Sequence, residues 1–234
     1  MKRINLLLLF SLMLLESCNQ GCKGLIKNLE KNAFNKKCSI EDANTGSITN
    51  PNGGGSGSSG GGSTYEDCTS ASIGDTCGGG IVAGLHPIDG DTIITTPGNC
   101  TNSSTPVCVG GTGELELAWS TNLVSTGVTS TAYGDTNTDD IVSYYVANGG
   151  SAPAAEWCNN LIYGGYTDWF LPSQNEMWIL YTNKASIGGY NNTGWYWLSA
   201  ESSASDGRFY YMNSGGASNR VKTIPSAVRC VRTQ

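Results

Sequence analysis

Apolar residues along this chain form short clusters separated by Gly, Ser, Thr and Asn, and the period of the clusters changes along its length. Lys2 and Arg3 precede a largely apolar run of 12 residues, Ile4 to Leu15. A basic start and an apolar core too short for a membrane span predict a secretory signal peptide over residues 1–17. Ile81–His86 and Asp91–Thr96 predict two short strands joined by the turn Pro87-Ile88-Asp89-Gly90, and Glu114–Trp119 predicts a third. Helix signals follow. Thr138 is a cap for a helix to about Asn148, with Asp139 and Asp140 in its first turn. Ser151 precedes a helical stretch through Trp157, Cys158 and Leu161 that ends before Gly164-Gly165. Ser173-Gln174-Asn175-Glu176 is a capping box opening a helix with Met177, Leu180 and Tyr181. Beyond Gly188-Gly189 the pattern turns β again, over Gly194–Ala200, Arg208–Asn213 and Ala227–Arg232. Strands, then helices, then strands imply an α+β architecture.

Composition sharpens this picture. Gly 32, Ser 26, Thr 22 and Asn 21 make up 101 of 234 residues, which excludes a helical bundle or coiled coil. Six Trp and 11 Tyr, with only 14% charged residues, argue equally against plain disorder. Much of the glycine lies in the tract Gly53–Ser63, which reads as a flexible tether over residues 53–64. No internal repeat and no Gly-X-Y period occurs. The chain therefore divides into the signal (1–17), an N-terminal segment (18–52), the Gly/Ser linker (53–64) and one domain (65–234).

Nine cysteines occupy positions 18, 22, 38, 68, 77, 100, 108, 158 and 230. Leu15-Glu16-Ser17-Cys18 has the shape of a bacterial lipobox, with Glu16 departing from the usual small or apolar residue. Cys18 is the expected lipidation site and membrane anchor; ordinary secretion with a fortuitous cysteine is the alternative. Eight cysteines remain in an exported chain and read as disulfides, with 105 pairings open by counting alone. Short separations favour Cys22–Cys38, Cys68–Cys77 and Cys100–Cys108, leaving Cys158–Cys230. No C-x-x-C occurs and the only histidine is His86, so a zinc site has no ligand set.

Several segments together carry a resemblance. They are Gly164-Gly165-Tyr166-Thr167-Asp168-Trp169-Phe170-Leu171-Pro172-Ser173, Glu176-Met177, Tyr196-Trp197-Leu198-Ser199-Ala200-Glu201 and Val228-Arg229-Cys230-Val231-Arg232, with Gly74-Asp75-Thr76 and Gly79-Gly80-Ile81-Val82 upstream. Over roughly residues 73–233 the chain resembles the C-terminal domain family of the Legionella collagen-like adhesin, a family found in bacterial surface proteins. The resemblance implies a C-type-lectin-like fold, related to formylglycine-generating enzymes, in which a second-helix cysteine pairs with one in the last strand, here Cys158 with Cys230. Before any ligand role, Trp169, Leu171, Trp197 and Val231 read as core, and Asp168, Arg229 and Arg232 as internal ion pairs.

Enzyme constellations are poorly supplied. One histidine cannot furnish the usual nucleophile systems, and the Gly runs do not link a strand to a helix as phosphate loops do. No catalysis is expected. Asp135-Thr136-Asn137-Thr138-Asp139-Asp140 has oxygen ligands at alternate positions, as in a calcium loop, but it lacks the sixth-position Gly and has Val146 at the twelfth. No cofactor is expected, with calcium as the minor alternative. From Tyr65 to Asn183 there are 13 acids and no Lys or Arg, whereas Lys184 to Gln234 is net +4. The domain is net −9, which excludes nucleic-acid binding by field. Aromatic, amide and basic residues interleave near the C-terminus, and Tyr190, Asn192, Trp195, Arg208, Tyr210, Asn213, Asn219 and Arg220 are the expected ligand-binding set. Aromatic faces and amides suit sugar rings, and arginines suit sulfate or carboxylate groups.

Two functions fit. One is a surface adhesin for glycans, sulfated or acidic, or for host matrix; the namesake adhesin binds glycosaminoglycans, so the resemblance implies this. The other is a variable receptor rewritten by a retroelement over Ser202–Arg220; a purely structural surface role is a third. The expected location is the bacterial cell surface, as an outer-membrane lipoprotein or a secreted protein. The namesake domain is trimeric, but no trimerising stalk occurs here, so a homo-oligomer is an open expectation.

Overall fold

A computed structural model describes residues 66–234. The signal peptide, Cys18, Cys22, Cys38 and the 53–64 linker lie outside the described residues.

The described chain is mixed α+β, with two sheets and three disulfides. The first sheet has the order β1-β2-β3-β9, from Thr76–Cys77 (β1), Gly80–Leu85 (β2), Thr92–Thr95 (β3) and Val231–Thr233 (β9). The second has the order β4-β8-β5-β6-β7, from Leu115–Leu117 (β4), Ser226–Val228 (β8), Trp195–Glu201 (β5), Asp206–Tyr211 (β6) and Ala217–Val221 (β7). Four helices lie between β4 and β5 in sequence: Gly134–Asn148 (α1), Pro153–Asn159 (α2), Gln174–Thr182 (α3) and Lys184–Ile187 (α4).

The hairpin β2–β3 and the strands β4, β5 and β6 form where the apolar clusters predict them. Three differences have physical causes. The predicted run Ala227–Arg232 is two strands, because the chain leaves one sheet at Val228 and joins the other at Val231. Residues 217–221 form a strand despite their polar composition, because the β6–β7 register runs unbroken from Asp206↔Val221 to Tyr210↔Ala217. Helix α1 starts at Gly134, not at Thr138. Thr138 is buried inside it, its hydroxyl accepting from the Leu171 N–H at 3.0 Å and lying 3.2 Å from the Leu171 carbonyl.

Strand alternation divides the core. Trp197, Phe209 and Val228 pack with Ile141 and Tyr145 of α1 and Ala154, Ala155 and Trp157 of α2. Their neighbours Tyr196, Leu198, Tyr210 and Ala227 face the opposite way, onto Met177, Ile179 and Leu180 of α3 and Ile187 of α4. The second sheet is therefore covered on both faces. Trp169, Leu171, Trp197 and Val231 are all core, as expected. Gly164, at φ +60°, meets the Gly79 backbone so closely that a Cβ would stand 2.2 Å from the Gly79 oxygen, so only glycine fits there.

Three buried cations lie in the C-terminal stretch. Lys222 Nζ sits 2.6 Å from Glu201 Oε2 and donates to the Val124 carbonyl. Arg229 pairs with Glu114 and donates to the carbonyls of Thr96 and Gly189. Arg232 makes a two-pronged pair with Asp168 at 2.8 and 3.0 Å and donates to the Gly78 carbonyl.

The disulfides are Cys68–Cys77, Cys100–Cys108 and Cys158–Cys230. The last joins α2 to the β8–β9 crossing over a separation of 72 residues, against 9 and 8 for the others. Replacing Cys158 and Cys230 together by Ala should cost roughly 4 kcal/mol, more than removing either short-loop bridge. Chemical-denaturation midpoints of the three double mutants check the order.

Candidate functional site

Three strands of the second sheet, β5, β6 and β7, carry most of the expected ligand residues, and their register decides which can act together. Trp195 opens β5 opposite Tyr211, Phe209 is opposite Trp197 and Ser218, and Arg220 is opposite Gly207. Cross-strand partners share a face, so Trp195, Phe209, Tyr211 and Arg220 lie together, on the α1–α2 side. Trp195 is 39% exposed and stacks on Phe209 with ring centroids 5.1 Å apart. The Arg220 guanidinium lies 4.1 Å over the Trp195 ring, and Arg220 Nε has no hydrogen-bond partner. Since β7 is the sheet edge, this stack borders solvent.

Arg208, Tyr210 and Asn219 face the other way, toward α3. Arg208 is opposite Asn219, and its Nε is also without a partner. The two arginines expected to act as one basic cluster therefore lie on opposite faces of the ribbon.

Burial sets two more of the expected residues apart from the surface. Tyr190 is 4% exposed beneath the Arg229 guanidinium, 4.2 Å from its ring, and burial pushes its hydroxyl up to about 12. Tyr210, also 4% exposed, packs against Tyr181 in the α3-side core and lines a cleft on that side. Asn192 and Asn213 are exposed in the loops before β5 and after β6. The eight expected residues are thus not one patch. The C-terminal basic excess is not a surface field either, because Lys222, Arg229 and Arg232 are buried and paired. Lys184, Arg208 and Arg220 are the half-buried cations left in this stretch.

The calcium-loop pattern is part of α1, where alternate residues point about 200° apart around the axis and cannot enclose one ion. Asn137 turns inward, donating to the Ser130 carbonyl at 2.7 Å and to Ser199 Oγ at 3.2 Å. Among the described residues no group of three or more His, Cys, Asp or Glu side chains gathers as a metal site.

The cleft lies between the β2–β3 turn, α3 and the β6–β7 hairpin, has a volume of about 420 Å³, and includes Trp178, which is 49% exposed. Sequence reading named the inward residues of α3 and passed over Trp178. Its signal was available, since a Trp directly after Met177 falls outside the apolar stripe of that helix. Behind the cleft, Glu176 accepts N–H donors from Ser173 at 2.6 Å and Gly134 at 3.1 Å, closing the capping box of α3 and holding the start of α1. His86 Nε2 is 3.7 Å from Glu176, and His86 Nδ1 is 2.8 Å from Asp89. Gly134 permits this approach, because a Cβ there would stand 2.4 Å from Glu176 Oε2.

Neither a protein family nor a characterised protein matches the sequence. Among solved structures, a fimbrial protein from Bacteroides ovatus aligns with 17% identity and a TM-score of 0.35, over 43% of this chain and 25% of that one.

Burial raises Glu176 to about 7, against the opposing pull of the Gly134 and Ser173 N–H groups and of His86. The folded state thus holds a proton that the unfolded chain releases above the ordinary carboxylate range. This contribution to stability is complete below about pH 4.5 and is lost as pH rises through 7. Glu201 has the opposite sign: burial resists its charge, but Lys222 and the donors of Thr126, Ser125 and Gly127 hold it below the ordinary value. Its contribution is lost as pH falls. Melting temperature against pH should therefore decline from about pH 5 toward 8. Glu176→Gln should lower stability overall and flatten that decline.

Proposed function

We propose that this chain is an exported cell-surface protein of the adhesin type, binding glycans through the Trp195–Arg220 edge and catalysing nothing. In this reading Cys18 carries a lipid anchor to the outer membrane, residues 53–64 are a tether, and residues 65–234 are a C-type-lectin-like domain of the collagen-like-adhesin family. Three disulfides support a site outside the reducing cytoplasm. Among the described residues no helix is long and apolar enough to cross a membrane.

One observation carries the ligand class. An indole 39% exposed at the start of the central strand β5 bears, 4.1 Å above it, a guanidinium from the edge strand β7 that makes no ion pair. Phe209 stacks on the indole and the Arg220 guanidinium lies over it, so a sugar would meet the part of the indole left exposed beside the guanidinium, whose fork of N–H donors matches a sulfate or carboxylate on the same ligand.

A second reading, a receptor diversified over Ser202–Arg220, is favoured by a separate observation. Ser202, Ser203, Ala204, Asn213, Ser214, Ser218 and Asn219 are exposed, while Gly207, Phe209, Tyr210 and Met212 are buried and anchor the hairpin. Outward positions can change without disturbing the core. Clonal sequencing and a search for an adjacent reverse transcriptase with a template repeat decide it; identical clones and no repeat reject it.

The adhesin reading is tested on a glycan array that includes sulfated and uronic-acid glycans, with host matrix proteins beside it. Binding should fall about tenfold in Trp195→Ala and in Arg220→Ala, and Arg220→Ala should also reduce its salt sensitivity. Arg208→Ala, on the opposite face, should leave both unchanged. Folded protein that binds no glycan and no matrix protein rejects this function.

A further inference from the structure

The cleft on the other side of the ribbon has a chemistry of its own. Its walls are Pro87 and Ile88 of the β2–β3 turn, Gln174, Asn175 and Trp178 of α3, and Tyr210 and Gly216 of the hairpin. None of these side chains is charged. Gln174 and Trp178 are one helical turn apart and share a face of α3, so an amide stands directly beside an exposed indole. Ile88, 55% exposed, adds an apolar wall across from them. Neither Trp178 nor Ile88 belongs to the two core clusters.

The amide is unsatisfied. Gln174 Oε1 is shut off from solvent and has no donor, and leaving such an atom unpaired is costly. Asn175 lines the cleft beside it, and its backbone N–H is taken by the Thr131 carbonyl at 3.1 Å. The buried Gln174 oxygen is beyond a ligand's reach, which leaves the amide nitrogen as the polar atom available to the cleft. Terminal rotation of the amide exchanges the two atoms, so that position can carry donors or an acceptor, and a hydroxyl group pairs with either.

The walls are held in place before any ligand arrives. Helix α3 begins in a closed capping box. The β2–β3 turn is fixed through His86, stacked on Tyr133 and paired with Asp89. The hairpin is tied to the end of α3, with Lys184 Nζ 2.5 Å from the Met212 carbonyl and Tyr181 packed beneath Gly215. Such preorganisation lowers the cost of binding.

We propose that this cleft is a binding site for a neutral saccharide, with the apolar face of a pyranose ring on Trp178 and its hydroxyls on the amides of Gln174 and Asn175. About 420 Å³ lies within the range of small-molecule sites and suits a mono- or disaccharide. The uncharged lining sets the class: a sulfate or carboxylate placed here would lose water and meet no cation. The site is separate from the Trp195–Arg220 edge and stands whether or not that edge binds.

The test titrates the folded protein with galactose, mannose, glucose, N-acetylglucosamine and their methyl glycosides, reading the indole N–H resonances of its six tryptophans by NMR. Glucuronic acid and N-acetylglucosamine 6-sulfate are run beside them. At least one neutral sugar should move the Trp178 resonance saturably, with the Gln174 and Asn175 amides. Trp178→Ala, at an exposed position, should weaken binding about tenfold or more, Gln174→Met should weaken it without moving the melting temperature, and Trp195→Ala should leave it unchanged. No shift of Trp178 with any neutral sugar overturns the proposal. A shift only with the charged sugars, or one confined to Trp195, overturns it as well, and the latter result would leave the edge site intact.

Discussion

Burial of three cations near the C-terminus is the constraint on which the rest of this structure depends. Lys222, Arg229 and Arg232 are 0%, 0% and 1% exposed, and each must find a carboxylate or leave a charge stranded inside. Their partners Glu201, Glu114 and Asp168 lie on the second sheet, on the loop before β4 and on the approach to α3. Fixing the end of the chain therefore fixes those segments too. The pairs are unequal. Glu114 and Glu201 are themselves buried, so removing either should cost about 3–5 kcal/mol. The Asp168 side chain is 50% exposed, so water screens that pair and much of its value lies in orientation. Each cation also covers an aromatic ring, Trp119, Tyr190 or Tyr166, at 4.5, 4.2 and 3.9 Å.

This arrangement changes what the charge pattern means. A net positive C-terminal stretch after an acidic one reads in one dimension as a basic surface facing an anionic ligand. Folding turns half of those cations inward, where they neutralise acids of the preceding chain. Two unpaired guanidinium groups remain on the ribbon, and strand alternation sends them to opposite sides. Arg220 lies over an indole on one side and Arg208 stands on the other, so the two cannot act as one basic cluster.

The legibility of the chain follows from how local each determinant is. Ser173 and Glu176 cap one another within a single turn, so the start of α3 could be read directly. The start of α1 could not, because Gly134 is held by Glu176 from another helix and Thr138, a good cap by type, is used as a buried bridge to Leu171. Likewise β7 has no apolar alternation of its own and is a strand through pairing with β6. The split between β8 and β9 records a change of sheet at Arg229-Cys230, which no periodicity can report. The burial of Tyr190 and Tyr210 was not legible for a different reason: tyrosine is as much at home in a core as on a binding face, and only tertiary packing decides. The Cys68–Cys77 and Cys100–Cys108 bridges were readable from separation, because short loops close with little distortion of the chain between them.

The same alternation that divides the arginines also gives the two faces of one narrow ribbon different chemistry. Residues 207, 209 and 211 look toward α1 and α2, and residues 206, 208 and 210 look toward α3. On the first side an aromatic stack with an unpaired guanidinium suits an anionic ligand. On the second, uncharged amides and an indole on α3 suit a neutral one. Each platform is backed by a different core cluster, one through Trp119 and Trp197 and the other through Tyr196 and Leu198. A one-residue slip of β7 against β6 would exchange the two sets and bury Arg220 against α3. The fixed register, pinned at one end by Lys222 and at the other by the hairpin turn against Tyr181, is what keeps the two chemistries apart.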